Sequence, residues 1–217
     1  MNFEQARFNM VEQQIRPWEV LDPRVLAVLP QVPRERFVPD AWQGLAFADF
    51  EVPLGQGQVM LAPKMEARLL QALALGRKDR VLEIGTGSGY LTACLARMAA
   101  DVVTVELHPE LAAQAEAKVR DQGIGNVRFL TGDAFVMEIP GGPFDAIAVT
   151  GALPLMDERF CKLLKVGGRL FVVVGAEPAM QAMLITRVGE DQFRREALFE
   201  TVIPALEGAP QPEAFRF

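Results

Sequence analysis

Half of the 217 residues are hydrophobic, enough apolar material for one ordinary globular domain with a sizeable core. The 22 basic and 28 acidic residues give a net charge of −6 and a pI near 5.0, with no run of Lys or Arg. That balance argues against a nucleic-acid-binding surface, which needs a basic patch, and no apolar run approaches the ~20 residues that would span a bilayer.

The chain opens with MNFEQARFNMVEQQIRPW, which carries acids and amides where a signal peptide needs an apolar core; a cytoplasmic location is expected. FEQARFNMVEQQI has helical periodicity, and DPRVLAVLPQV offers Asp22 as an N-cap with Pro23 at the first helical position. An irregular stretch rich in Pro, Gly and aromatic residues follows, from about Val38 to Pro63. It contains GQGQVMLAPKM, in which closely spaced glycines suited to wrapping a ligand run into inert apolar side chains. APKMEARLLQALAL then reads as an amphipathic helix ended by Gly76.

From Asp79 the rhythm changes. The runs RVLEIG, DVVTVEL, NVRFLTGD, FDAIAVTGA and GRLFVVVG read as strands. Helical segments separate several of them: SGYLTACLARMA, PELAAQAEAKVRDQG and LMDERFCKLL. Alternation of this kind with continuously apolar strands implies a parallel sheet covered on both faces. The last segment, AMLITRVGEDQFRREALFETVI, is two strand-like runs around Gly189-Glu-Asp and predicts a closing antiparallel hairpin. The fold class is therefore α/β: a Rossmann-like, doubly wound, mostly parallel seven-stranded sheet with an antiparallel C-terminal hairpin and a helical N-terminal extension. Cys94 and Cys161 lie far apart in apolar surroundings, lack metal-ligand spacing and read as buried thiols.

The strongest motif is VLEIGTGSGY. Gly85, Gly87 and Gly89 follow a strand and open a helix, so a ligand can press against backbone beside a helix N-terminus. A dinucleotide site spaces its glycines as G-x-G-x-x-G; here the third comes one residue early. Glu83 sits two positions before the first glycine, where a buried acid needs a partner that a ligand ammonium can supply. Glu106 closes the second strand, placed to accept hydrogen bonds from ribose hydroxyls. Asp133, after the third strand, is placed to accept from an adenine amino group, or simply to form an Asx turn. Three glycines and three strand-end acids describe a pocket for an adenosine bearing an amino-acid tail, that is, S-adenosyl-L-methionine, with S-adenosyl-L-homocysteine as product. Thr86 and Ser88 within the loop, Leu107 and Ala134 beside the acids, and Thr150 in the fourth core strand complete the candidate cofactor set.

LEIGTGSGY, VTVELHPEL, FDAIAVTGALP and LLKVGGRL resemble the ordered motifs of class I methyltransferases. Upstream, VPRERFVP and PLGQGQ make the chain similar, from about Met10 to Gly175, to the protein-L-isoaspartate O-methyltransferases. The resemblance implies one methyltransferase domain over 1–217, with an N-terminal extension and acceptor-side loop in 1–76 and a cofactor-binding core in 77–217. It also implies carboxyl methylation of L-isoaspartyl residues in damaged proteins, the first step of their repair. The family's Thr-Ile-Ser-x-Pro-His segment is here Val59, Met60, Leu61, Ala62, Pro63 and Lys64. Gln58, Val59 and Leu61 thus occupy the catalytic-loop positions, Leu61 standing at the family serine.

A carboxylate acceptor is already ionised near pH 7, so losing that hydroxyl need not abolish transfer. It does open the choice of acceptor: a damaged protein or peptide, a small molecule, or another protein side chain. A cofactor-binding protein without transferase activity is a further alternative. A nicotinamide-dependent dehydrogenase is disfavoured by the glycine spacing and the antiparallel ending. Among weaker candidates, His108 reads as a surface or ribose-edge residue, Lys64 as an exposed helix-start lysine and Tyr90 as a packing residue. Trp18 and Trp42 read as core or lid residues, either of which can line an acceptor pocket. The sequence leaves the oligomeric state and the role of the tail EAFRF open.

Overall fold

In a computed structural model, which describes residues 2–212, helix α1 (Phe3–Met10) starts on Asn2, whose side chain accepts from the Gln5 amide. It passes directly into a π-helical turn at Val11–Ile15. Helix α2 (Pro23–Val28) is capped by Asp22, which accepts from the Arg24 amide, with Pro23 at its first position as expected. Short 3-10 turns at Arg34–Arg36 and Asp40–Leu45 lead to strands β1 (Val52–Gly55) and β2 (Gln58–Met60), a small antiparallel hairpin. This hairpin occupies ground read from the sequence as irregular. Its turn holds Gly55, Gln56 and Gly57 all at positive φ, and a Cβ on either glycine would meet open space. These glycines therefore shape a tight turn; they do not admit a close neighbour.

Helix α3 (Pro63–Leu73) ends earlier than its sequence suggests. Ala74, not Gly76, takes the left-handed position at its C-terminus, and the Gly76 amide donates to Asp79 in the next turn. The core then runs β3 (Arg80–Ile84), α4 (Tyr90–Met98), β4 (Asp101–Glu106), α5 (Pro109–Asp121), β5 (Val127–Thr131), β6 (Phe144–Leu153), α6 (Glu158–Lys162), β7 (Leu164–Ala176), β8 (Ala179–Gly189) and β9 (Gln192–Thr201). Helix α6 is only one turn of the expected helical segment, capped by Asp157.

Seven strands form one sheet in the order β5-β4-β3-β6-β7-β8-β9. The first five pair in parallel and β8 is antiparallel to both its neighbours, which is the closing hairpin expected from Gly189-Glu-Asp. Side chains alternate across each strand. Val81 and Val102 face an apolar cluster built with the N-terminal elements, α3 and α4. Leu82, Val103 and Val105 face a second cluster that includes Phe160 of α6. By this period of two, Glu83 and Thr104 lie on the α3/α4 side, directly opposite one another in the β3–β4 register. Both cysteines are free and buried. No helix among the described residues is long and apolar enough to cross a membrane.

Candidate active site

The carboxyl ends of β3, β4, β5 and β6 open into a cleft of about 910 Å³, counting space open to solvent. A cleft there is the expected binding place in a doubly wound sheet. The loop leaving β3 forms its floor. Gly85 has φ +91°, and a Cβ on it would stand 2.3 Å from Thr150 Oγ1 of β6. That hydroxyl donates to the carbonyls of Ile84 and Gly85 at 2.9 and 2.8 Å, so Thr150 acts here by pinning the loop to the sheet. Gly89, a candidate cofactor contact by sequence, is not among the lining residues; it lets α4 approach Ala115 of α5, which a Cβ would meet at 3.0 Å. Ser88 Oγ accepts from the Tyr90 amide at the helix start.

Glu83 is fully buried. Its Oε2 accepts from Thr92 Oγ1 of α4 (2.5 Å) and Thr104 Oγ1 of β4 (2.7 Å), and Thr104 is in contact with Thr86 Oγ1 at 2.6 Å. Its Oε1 has no hydrogen-bond partner among the described residues, and Glu83 borders the cleft. Burial pushes this carboxyl up to about 8, against the two threonine hydrogen bonds and with help from the negative charges of Glu106 and Glu66. A buried acid with an unused oxygen is what a cationic amino group would complete.

Glu106 closes β4. Its Oε2 accepts from the Gly87 amide (2.8 Å) and its Oε1 from the His108 amide (3.1 Å), which aims the carboxylate along the cleft wall with lone pairs to spare. Asp133 borders the same cleft, and its Oδ1 accepts from the Phe135 amide at 2.7 Å. It therefore makes the Asx turn that competed with the binding role, and keeps Oδ2 available for a ligand. Leu107, Ala134 and Thr150 also line the cleft, with Gln58, Val59 and Leu61 across from them on the hairpin side. Leu61 is only 6% exposed and belongs to the apolar core cluster. Its bulk is thus turned largely inward, and its carbonyl accepts from Arg34 at 2.7 Å.

Three features of the site escaped the sequence. Glu66 of α3 lines the cleft at 3% exposure, bonded to Arg34; the signal was an acid on the helix stripe that also carries Leu69, Leu70 and Leu73. Thr92 and Thr104 were readable only once the facing of β3, β4 and α4 was known. The third is the segment Pro204–Glu207, which forms part of the cleft wall. It is held there by backbone hydrogen bonds between Ala152 and both Pro204 and Leu206 at 2.9 Å, and by a His108–Glu207 contact of 3.1 Å.

Of the weaker candidates, His108 lines the cleft and Lys64, Tyr90, Trp18 and Trp42 fall outside it. Lys64 is held by Asp49 at 2.7 Å and lies over the Trp18 ring, while Trp18 meets Phe199 edge-on and Trp42 packs on Phe50. Tyr90 is a buried packing residue against Phe37. The tail EAFRF lies outside the described residues.

Residues 5–207 match the family model described as protein-L-isoaspartate(D-aspartate) O-methyltransferase. The chain is 40% identical over 223 aligned residues to protein-L-isoaspartate O-methyltransferase 1 of Rhodopseudomonas palustris (strain HaA2), covering 99% of this chain and 91% of that one. It is 42% identical to the protein-L-isoaspartate O-methyltransferase of a second Rhodopseudomonas palustris strain, CGA009, covering 94% and 95%. Among solved structures it is similar in fold to a Plasmodium falciparum chain described as a protein-L-isoaspartate O-methyltransferase in complex with S-adenosyl-L-homocysteine. The TM-score there is 0.81 at 21% identity, over 95% of this chain and 99% of that one.

Proposed function

The chain belongs to the protein-L-isoaspartate(D-aspartate) O-methyltransferase family, and on that premise we propose that it methylates the free carboxylate of L-isoaspartyl residues in damaged polypeptides, using S-adenosyl-L-methionine. The observation that carries the reading is the Glu83 carboxyl group, buried at the cleft wall with Oε1 unpaired among the described residues, in line with two further acids at the ends of neighbouring strands. When bound, the cofactor supplies a methyl group on a sulfonium and departs as S-adenosyl-L-homocysteine.

Glu83, held by Thr92 and Thr104, takes the ammonium of the amino-acid tail. The glycine loop, pinned by Thr150, lets the ligand lie against backbone. Glu106 receives the ribose hydroxyls, and Asp133 with Ala134 and Leu107 borders the adenine end. The acceptor enters beside Gln58, Val59 and Leu61. A carboxylate nucleophile needs no general base at neutral pH, so the protein's task is to hold oxygen and methyl in line and keep water out. The acceptor is a polypeptide in the cytoplasm; nucleic acid is disfavoured by the net charge of −6.

Val59, Met60 and Leu61 favour a second reading, in which cofactor and fold are the same and the acceptor differs, because this wall offers no side-chain hydroxyl. Two measurements separate them. Calorimetry with S-adenosyl-L-homocysteine is expected to show one site; no binding would remove the cofactor assignment. Labelled-methyl transfer to an isoaspartyl peptide, with the aspartyl peptide as control, is expected to proceed. Binding without transfer would establish the second reading.

A further inference from the structure

Arg34 stands outside the cleft and is fully buried. All three nitrogens of its guanidinium are used. Nε donates to the Ala46 carbonyl and one terminal nitrogen to the Leu61 carbonyl, both at 2.7 Å, and the other terminal nitrogen is bonded to Glu66. The cationic carbon lies 4.9 Å from the centre of the Tyr90 ring, and Tyr90 is the first residue of α4, immediately after the glycine loop. One side chain therefore ties the hairpin end at Leu61 to the first turn of the cofactor-side helix, with Glu66 of α3 fixing its plane. A planar fork can serve three acceptors in set directions; an ammonium on a flexible stem cannot.

We propose that Arg34 is a positioning residue for methyl transfer: it holds the acceptor-side main chain at Leu61 in register with the cofactor loop. This rests on the acceptor entering beside Gln58–Leu61. With no hydroxyl on that wall, acceptor placement falls to main chain and shape, so the arginine that fixes the main chain carries more of the alignment. Errors of about 1 Å in such alignment cost on the order of 100-fold in rate.

The test begins with Arg34→Lys, which keeps the charge beside Glu66. The expected result is a drop of about 10- to 100-fold in kcat/KM for the isoaspartyl peptide, with the Kd for S-adenosyl-L-homocysteine changed by less than about threefold. Amide hydrogen exchange over residues 56–62 should quicken at least about tenfold while β3 and β4 keep their protection. Unchanged exchange there, or wild-type kcat/KM, overturns the proposal. The double variant Arg34→Met/Glu66→Met replaces the buried ion pair by apolar groups. It should melt above Arg34→Met alone and yet stay as slow; recovery of activity along with stability would mean that Arg34 serves folding only. If the wild type binds S-adenosyl-L-homocysteine but leaves isoaspartyl peptides unmethylated, the acceptor assignment fails, and the exchange data still decide whether Arg34 holds the hairpin.

Discussion

Glu83 holds a proton that ordinary glutamates lose near pH 4.5, because burial pushes its carboxyl up to about 8. The folded protein therefore binds this proton more tightly than the unfolded chain does. The resulting stability is fully present below pH 4.5 and is lost as pH rises through about 8. Glu66, raised to about 7 mainly by burial against the pull of Arg34, acts in the same direction. Melting of the protein without added ligand should fall across this window by an amount worth on the order of a few kcal/mol. Glu83→Gln, which has no proton to lose, should flatten that fall, and a thermal-melt series from pH 5 to 8.5 checks it; an equal slope in both proteins would refute the assigned protonation. Gly85→Ala puts a methyl group against Thr150 Oγ1 at a φ of +91° and should cost more than about 1 kcal/mol of stability. In thermal melts, adding Thr150→Ala should recover only part of that loss, since the backbone strain stays. Both residues were legible in the sequence, as an acid before a glycine loop. Their pairings were not, because Thr92 and Thr104 lie 9 and 21 positions from Glu83 and Thr150, itself a candidate by sequence, lies 65 from Gly85, and they meet only through strand facing and register.

At the level of elements, the long periodic segments could be read directly and the short walls of the cleft could not. The β1–β2 hairpin has strands of four and three residues, one of them containing Pro53, too short to show alternation. Its turn places Gln56 at φ +53°, where Asn or Asp would have announced it. The Pro204–Glu207 segment is equally silent in sequence, since its bonds reach Ala152 and His108 across the end of the sheet. Gly151 gives access to its contribution. A Cβ there would meet Leu206 side-chain atoms at 2.8 and 2.9 Å and its amide nitrogen at 3.1 Å. Gly151→Ala should therefore push the segment off the cleft while leaving the strands intact. The expected outcome is a Kd for S-adenosyl-L-homocysteine raised about tenfold, or ~1.4 kcal/mol, with an unchanged far-ultraviolet circular dichroism spectrum. Unaltered affinity would show that this segment is not part of the ligand's wall.

For the whole molecule, the order of strands explains why so many separate segments meet. Five parallel strands deliver their carboxyl ends to one edge of the sheet, so the loops at sequence positions 85, 107 and 133 and the end of β6 at 151 share one rim. The alternation of strands and helices made that rim predictable. The hairpin near position 58 and the return near position 205 join it only by tertiary packing, and this long-range closure is what a single sequence conceals. The arrangement has a thermodynamic consequence, because a ligand that touches all six segments binds the folded chain and finds no such site in the unfolded one. S-adenosyl-L-homocysteine at about 100 times its Kd should add ~2.7 kcal/mol, which for a chain of this size raises the melting temperature by about 5–10 °C. The rise should be larger near pH 8 than near pH 6, since a ligand ammonium favours the ionised Glu83 and the proton it displaces leaves more readily at higher pH. Melts at both pH values, with Glu83→Gln beside the wild type, separate the two contributions. The variant should keep a smaller rise from the remaining contacts with a weaker pH dependence, since Glu66 is a second raised carboxyl on the cleft; a pH dependence undiminished by the substitution would mean that Glu83 is not the group that releases the linked proton.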